Sequence, residues 1–312
     1  MSYLRPILPR FYIDNINWAT AKGGVVSIVN EGEALSGATQ NINDIFNLKP
    51  STTTEWSTDT DTTNVDIGVG FTGVDHAVDF MIILNHNLNT AGAEITAKYN
   101  GSASQINSMV SVLNAAEGTQ DYAAPAADGD TIFTFNQLTS EADFNIIIKP
   151  SVTNFTADVK IGCILFGKLH TLPFGPTMGR SHQAQFPVKI TESEGGVRFS
   201  NLPWTGVPQN AYAPFRGATT YQYGGRLIHE LTFTHLADTA LIRSDLSAIT
   251  ESADFESDVL QKTLNSHLPF VFVLDSASQV KGDYLFGRLF DYASREIACQ
   301  AFEISCRIEE EF

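Results

Sequence analysis

The sequence predicts a mostly β protein in which an antiparallel β-sandwich is followed by a smaller α+β domain. Apolar residues alternate with polar or small ones along much of the chain, which is the period of strands with one buried face. Turn sequences rich in glycine, asparagine and aspartate separate these runs. A helical period is convincing only after residue 237.

Residues 1–172 form the predicted sandwich domain. The alternating runs are short and are separated by turns such as Asn100-Gly101, which is typical of strands that pair in antiparallel fashion. The runs assigned to strands are 65–71, 78–84, 95–99, 133–135, 144–148 and 159–165. We expect the domain to end near Leu172-Pro173.

Residues 173–226 form a predicted ordered arm or loop. Proline and glycine are frequent there, but aromatic residues are interleaved with polar ones, unlike in a flexible linker. The aromatic side chains can pack on the protein's own body or anchor an interface, and the sequence leaves both alternatives open. The interface candidates are Trp204, Tyr212, Phe215, Tyr221 and Tyr223.

Residues 227–312 form the predicted α+β domain, an antiparallel sheet crossed by one helical segment. Strands are expected at 227–233, 270–275, 284–290 and 302–308. The helical segment is marked by Asp238 or Thr239 as its cap and by an apolar face of Ile242, Leu246 and Ile249.

The charge balance argues against several kinds of partner. Lys and Arg number 19 against 35 Asp and Glu, the net charge is −16, and no run of three basic residues occurs. DNA, RNA and anionic membranes would therefore repel the chain. Only 17% of the residues are charged, fewer than the ~25% of an average soluble domain. This composition suits a protein that packs against neighbours, but an ordinary β protein can share it.

Cysteine usage and apolar run lengths predict where the protein is made. The three cysteines, Cys163, Cys299 and Cys306, do not form a disulfide framework. Residues 1–15 lack the apolar core of a signal peptide, and the longest apolar runs, such as 80–84, are too short to span a membrane. We therefore expect synthesis in a reducing cytoplasm and no membrane insertion.

Two motifs resemble the signatures of cofactor or metal sites. GVGFTG at 68–73 matches the G-x-G-x-x-G of dinucleotide-binding folds, but a strand pattern follows it, so no helix N-terminus is available for a pyrophosphate. His229-Glu230 begins like H-E-x-x-H, but the next histidine, His235, lies ~20 Å away along a strand. The sequence therefore predicts no cofactor and no catalytic site, although a pair of glycosidase carboxylates would leave no sequence signature.

An acidic, threonine-rich loop offers a candidate calcium site at Asp59, Asp61 and Asp66, with Asn64 between them. Oxygen ligands suit calcium, but the loop lacks the glycine and the distal glutamate of an EF-hand. A solvated polar loop before a strand is the favoured interpretation, and calcium binding is the alternative.

His86 follows an apolar strand and is expected in a turn at the edge of the sandwich. A histidine that satisfies turn backbone groups is favoured there over a residue of a binding site.

Several segments resemble the galactose-binding-like (discoidin-type) jelly-roll modules of tailed-bacteriophage tail proteins. They are IILNHNL at 82–88 with the strand after it, and VKIGCILFG at 159–167 running into Leu172-Pro173. LPFVF at 268–272 and YLFGR at 284–288 resemble the second half of the same proteins. The resemblance implies a jelly-roll sandwich, a place in the virion tail or tail tip (baseplate), and no catalytic residues.

Three functions follow from these observations. The leading hypothesis is a non-enzymatic tail or tail-tip protein that assembles with copies of itself in a ring or spike and with other tail proteins. The alternative is a carbohydrate-binding module that contacts host glycan through loop aromatics such as Trp18, Trp56 or Trp204, although a core or interface position is favoured for each tryptophan taken singly. The third is a hydrolase that acts on polysaccharide.

Overall fold

Antiparallel strands make up about half of the described residues and are the main secondary structure, as the sequence predicts. The computed structural model describes residues 8–22, 24–72, 78–99, 104–105, 109–114, 119–135, 143–177, 181–185, 189–201, 212–216, 226–242 and 254–311. The strands are β1 (Arg10–Asp14), β2 (Val25–Gly32), β3 (Thr54–Trp56), β4 (Val65–Thr72), β5 (Phe80–His86), β6 (Ala93–Tyr99), β7 (Ser104–Gln105), β8 (Met109–Ser111), β9 (Thr119–Gln120), β10 (Gly129–Thr134), β11 (Asp143–Pro150), β12 (Val159–Thr171), β13 (Ser181–Gln185), β14 (Lys189–Glu192), β15 (Arg198–Asn201), β16 (Arg226–Ala237), β17 (Phe270–Val273), β18 (Tyr284–Ala298) and β19 (Ala301–Glu310). The helical segments are α1 (Asn15–Ala21), α2 (Asp238–Leu241), 3-10 turns at Ile42–Phe46 and Lys281–Asp283, and a π-helical turn at Glu256–Gln261.

Two antiparallel layers form the N-terminal sandwich. One is a five-stranded sheet in the order β2-β4-β11-β6-β7, and the other contains β12, β5, β10, β8 and β9. Their inner faces share one core, in which Ile67 of β4, Ile146 of β11 and Ile83 of β5 are fully buried. Burial of each such side chain contributes ~1.5–3 kcal/mol. The predicted fold class is confirmed, and the arrangement is consistent with a jelly roll.

β1 joins the sandwich to the C-terminal part of the chain. It pairs with β12 on one side and with β17 on the other, so one sheet runs in the order β13-β16-β19-β18-β17-β1-β12-β5-β10-β8-β9. Phe11 and Ile13 pack in the C-terminal core, whereas Tyr12 packs in a core on the opposite face. Hydrogen bonding within the sheet therefore continues past the predicted boundary near Leu172-Pro173.

The C-terminal sheet carries the π-helical turn on one face. Phe255 and Val259, beside and within that turn, belong to the same buried cluster as Phe272 of β17 and Ile304 of β19. Within the described part of the chain, no helix is long and apolar enough to cross a membrane.

The predicted helix after residue 237 is much shorter than expected. α2 begins after Ala237, which makes no side-chain capping hydrogen bond, and the backbone is extended again at Ile242. A four-residue helix without a side-chain cap gains little from its few internal hydrogen bonds. The other residues of the predicted apolar face, Leu246 and Ile249, lie outside the described residues.

Asp130 of the sandwich binds residues 212–216, which are part of the predicted arm. The Tyr212 hydroxyl and the Phe215 backbone N–H donate hydrogen bonds to this buried carboxylate at 2.6 and 2.7 Å. Lys281 Nζ lies 3.1 Å from the same carboxylate. One side chain of β10 thus binds groups from the arm and from the C-terminal part.

The same segment is held at its other end by Glu310. Arg216 Nε lies 2.6 Å from Glu310 Oε1, and both side chains are buried. The Leu227 backbone N–H donates to the second oxygen of Glu310 at 2.8 Å. Between the two carboxylates, the Phe215 ring packs 5.6 Å from the ring of Tyr284. The segment is therefore part of the protein's own core.

Asp130→Ala should destabilise the protein, because it leaves the buried Tyr212 hydroxyl and Phe215 N–H without their acceptor and removes the carboxylate from the half-buried Lys281. A buried donor left without an acceptor typically costs ~1–3 kcal/mol. Urea unfolding monitored by fluorescence measures the change. Asp61→Ala removes an exposed carboxylate elsewhere in the sandwich and serves as the control. Equal effects of the two substitutions would contradict the role given to Asp130.

The pH dependence of stability should depend on Asp79, which is only 6% exposed. Burial raises its pKa to about 7, although the Leu169 N–H donates to it at 2.7 Å and the cations of Lys168, Lys262 and Arg10 act in the opposite direction. In the unfolded chain the pKa is ~3.9. Between these values the folded state binds a proton that the unfolded state lacks, so the free energy of unfolding should fall as pH rises from ~4 to ~7.

Asp79→Asn should reduce this pH dependence, with the remainder due to Glu310, whose pKa burial also raises to about 7, and should stabilise the protein at pH 8, because the amide oxygen still accepts from Leu169 without carrying a charge. Urea unfolding between pH 4 and 8 provides the measurement. Asp61→Asn, which changes an exposed carboxylate, should leave the slope as it is in the wild type. An unchanged slope in Asp79→Asn would show that other groups cause the effect.

Candidate functional site

An open trough of about 400 Å³ lies on the outer face of the five-stranded sheet. The residues that line it are Ser27, Val29 and Glu31 of β2, Asp66, Gly68, Val69 and Gly70 of β4, and Asp143, Phe144 and Asn145 of β11. These strands run side by side, so the trough is built on regular structure rather than on loops.

The trough exists because two outward positions of β4 have no side chain. Strands β2 and β11 flank β4 and lie ~10 Å apart, at ~4.8 Å per strand spacing. The rows of residues that cross the trough are Val29–Gly68–Asn145 and Ser27–Gly70–Asp143. The flanking side chains form walls, and the glycine backbone forms the floor.

Gly68 is not required by the fold around it. A Cβ at this position would meet nothing closer than Val29 Cβ at 3.8 Å, which is ordinary van der Waals contact, and its φ is not in the left-handed region. By contrast, a Cβ at Gly162, Gly167 or Gly287 would collide with backbone oxygens at 2.1–2.3 Å. A glycine in a strand interior weakens the strand and often marks close approach by a ligand. The space above Gly68 is therefore available to a molecule outside the chain.

Gly70 extends the same floor by one row. A Cβ there would lie 2.7 Å from Ser27 Oγ and 2.9 Å from Asp143 Oδ1, which are the ends of side chains. These two polar groups therefore converge over Gly70 from opposite walls.

The walls carry an excess of negative charge. The Asn145 side-chain amide donates to Asp66 Oδ1 at 3.0 Å. The pKa of Asp66 is raised, first by burial and also by repulsion from Glu31, while Asn145 and the ammonium of Lys98 act in the opposite direction. Asp143 adds a third carboxylate, which is exposed.

This set of groups suits a ligand with many hydroxyls. Carboxylates accept hydrogen bonds, whereas an amide and a serine hydroxyl can both donate and accept them. An anionic ligand would meet three carboxylates. The residues at 68 and 70 were singled out in the sequence for a dinucleotide motif, but the walls contributed by Ser27, Asp143 and Asn145 were not predicted.

Residues 68–72 of the G-x-G-x-x-G motif lie within β4, as the alternating pattern indicates, and Gly73 lies outside the described residues. His229 and His235 both lie on β16. Residues 68–72 form a strand where a dinucleotide-binding fold has a strand–helix turn. They therefore provide no helix N-terminus that could bind a pyrophosphate.

The candidate calcium residues do not come together. Among the described residues, no group of three or more His, Cys, Asp or Glu side chains is placed to hold a metal ion. The backbone N–H of Asp59 donates to Asp158 Oδ1 at 2.9 Å, and Asp61 is exposed in the same loop. Asp66 instead belongs to the wall of the trough. The favoured interpretation of a solvated loop agrees with this geometry.

His86 is buried at the end of β5, where Nδ1 accepts from the Leu88 N–H at 3.3 Å. Burial lowers its pKa to about 4, so that the ring is neutral at pH 7. The side chain therefore satisfies a turn backbone group, as the sequence favours.

The aromatic interface candidates fall into two groups. Tyr212 and Phe215 are buried in the protein's own core. Of the two alternatives, they pack within the protein and do not anchor an interface. Trp204, Tyr221 and Tyr223 lie outside the described residues.

Trp18 and Trp56 are core residues, as the sequence favours for each of them, and neither is placed to contact a glycan. Both rings are buried in the sandwich core, and Trp56 Nε1 donates to Asn30 Oδ1 at 2.8 Å. Because the apolar area of a tryptophan ring is large, the core is the favourable place for both side chains.

Neither a protein-family model nor a curated protein matches the sequence. Among solved structures, the chain is similar to CBM32-1 from a family 31 glycoside hydrolase of Clostridium perfringens, with 16% identity over 46% of this chain and 94% of that one and a TM-score of 0.33. It is also similar to chitosan-binding module 1 of a chitosanase/glucanase from Paenibacillus sp. IK-5, with 13% identity over 45% and 94% and a TM-score of 0.32. Similarities at these TM-scores do not indicate the function of this protein.

Proposed function

We propose that the protein is a non-catalytic carbohydrate-binding module and that a saccharide binds in the trough. The observation that carries the proposal is the open floor at Gly68, a strand glycine that neither its backbone conformation nor its neighbours require. An extended sugar chain placed along β4 would lie on the glycine backbone, with its hydroxyls directed at the walls.

The charge of the walls narrows the class of sugar. Glu31, Asp66 and Asp143 accept hydrogen bonds from hydroxyls or from an amino group, but they repel uronic and sialic acids. The ligand class is therefore a neutral or amino-sugar oligosaccharide, bound through hydrogen bonds to charged acceptors.

Gly68→Val should abolish saccharide binding without loss of stability. The added side chain occupies the space above the floor, whereas a β-branched residue favours the strand and removes the cost of glycine, ~0.5–1 kcal/mol. Binding to immobilised neutral, amino-sugar and uronic-acid oligosaccharides gives the first readout, and urea unfolding gives the second. Affinity should fall at least tenfold while the free energy of unfolding stays the same or rises.

Gly282→Ala is the matched control, because a Cβ there also meets nothing and the residue lies outside the trough lining. Full binding by Gly68→Val would contradict the proposed site, and binding of uronic acids alone would contradict the proposed ligand class. Hydrolysis of a bound oligosaccharide would contradict the non-catalytic role.

A structural role in a phage tail or tail tip is the second candidate, and the β18–β19 hairpin favours it. Pairing between β17 and β18 ends at Gly287, whereas β18 and β19 stay paired to Ala298 and Ala301. From Ala293 to Ala298 every residue of β18 is exposed, including the apolar Ile297 at 39%. Such a hairpin can dock on another protein of an assembly.

Electron microscopy of tail particles labelled with an antibody to this chain tests the second candidate. Label at one fixed position along the tail is the expected result. A wild-type distribution of label on particles that carry Ile297→Lys and Phe290→Lys would show that the hairpin does not make the contact. Particles without label would contradict the tail role itself.

A further inference from the structure

The outer edge of β2 is a second unexplained surface. β2 pairs with β4 over all eight residues without a bulge and is the terminal strand of its sheet. Where the chain is described, no backbone hydrogen bond joins the other edge of residues 25–32 to another segment. Alternate residues of an antiparallel strand direct their N–H and C=O groups away from the partner, so about four residues present these groups outward.

β2 also lacks most of the features that keep edge strands from pairing. Proteins usually protect a long edge with charged side chains, especially lysine, or with proline, a bulge or an inward-pointing charge. The sequence VVSIVNEG contains no lysine or proline, its one charge, Glu31, lies near the end of the strand, and its inward residues are Val26, Ile28 and Asn30. Val25 and Val29 point outward and are 63% and 47% exposed.

The hairpin of β18 and β19 shows the contrast. β18 carries register shifts after Phe290 and after Glu296, and its exposed end includes Arg295 and Glu296. Bulges and charges of this kind disfavour pairing with another strand. Among the described strands, β2 is thus a long edge without such protection, and the other end of its sheet, β7, has only two residues.

We propose that β2 pairs antiparallel with β2 of a second copy of this chain, around a two-fold axis at Ser27. In this register Val25 faces Val29 of the second copy, and Ser27 faces its own equivalent. On the inner side Val26 faces Ile28, so apolar residues meet apolar ones on both faces.

The ends of the strand are complementary in charge in the same register. Exposed Lys22 precedes β2, and exposed Glu31 lies near its other end. Antiparallel pairing brings the basic end of one copy to the acidic end of the other, twice by symmetry. A parallel arrangement would bring like charges together, which costs stability. This complementarity favours a second copy over an unrelated strand.

Pairing would join two five-stranded sheets into one sheet of ten strands. Both troughs would then open on the same outer face, on either side of the two-fold axis, since β2 supplies one wall of each. The inference does not depend on which ligand the troughs bind.

Sedimentation velocity of the full chain over a range of concentrations tests the pairing. The wild type should sediment as a dimer. V25K/V29K should be monomeric, because lysine would face lysine twice across the axis. V25K/V29E should remain a dimer, since it places lysine opposite glutamate in the proposed register only. Circular dichroism checks that both variants fold, as substitutions at exposed positions should allow.

A monomeric wild type, or a dimer that persists in V25K/V29K, would overturn the proposal. Ser27→Cys in a Cys299→Ser background provides an independent readout, because directly opposed Cβ atoms lie ~4.5–5.5 Å apart. A mild oxidant should cross-link this variant into dimers on a non-reducing gel. Absence of the cross-link, despite dimers in solution, would place the contact elsewhere and overturn the assignment to β2.

Discussion

The whole fold depends on β1 having neighbours on both sides. Five residues supply the hydrogen bonds that connect β12 of the sandwich to β17 of the C-terminal part. Asp14, its last residue, then accepts from the Asn17 N–H at 2.8 Å and from the Phe166 N–H at 3.2 Å, which fixes α1 against β12. Because its alternate side chains enter different cores, β1 couples the packing of the two parts, and neither can repack alone.

The sequence could predict the strands that show alternating apolar and polar residues, but not which strands pair with each other in the sheets. The run 65–71 is visible as β4 because Val65, Ile67, Val69 and Phe71 are buried and the residues between them are less so, which preserves the period of two in the residue types. β1 reads Arg-Phe-Tyr-Ile-Asp and is buried on both faces, which removes the alternation that identifies a strand. α2 is shorter than its helical spacing predicts, because no side chain caps its N-terminus and the backbone is extended again at Ile242.

The candidate site shows the same division between pattern and context. Gly68 and Gly70 can be read from the sequence. The sequence does not show whether each glycine lies in a turn, at a position where a Cβ would clash with the backbone, or on an open face of a sheet. Gly167 and Gly68 have the same chemistry, yet a Cβ would meet the Ile13 carbonyl oxygen at 2.1 Å in one case and nothing closer than 3.8 Å in the other. The walls come from β2 and β11, which are distant in sequence, so only the register of the sheet brings Ser27 and Asp143 to Gly70.

Burial on both faces of the large sheet limits where this protein can meet other molecules. Tyr12, Phe80 and Leu165 pack on one side of that sheet and Phe11, Phe166 and Met81 on the other, so neither face is available near β1. The five-stranded sheet differs, because among the described residues its outer face over β2 and β4 is not covered. That part of the outer face and the β2 edge are open there, and Val29 belongs to both surfaces. A contact at the edge would therefore alter one wall of the trough, and a ligand in the trough would touch a residue of the edge. The proposed binding and the proposed pairing share this strand, so each would influence the other without any change elsewhere in the fold.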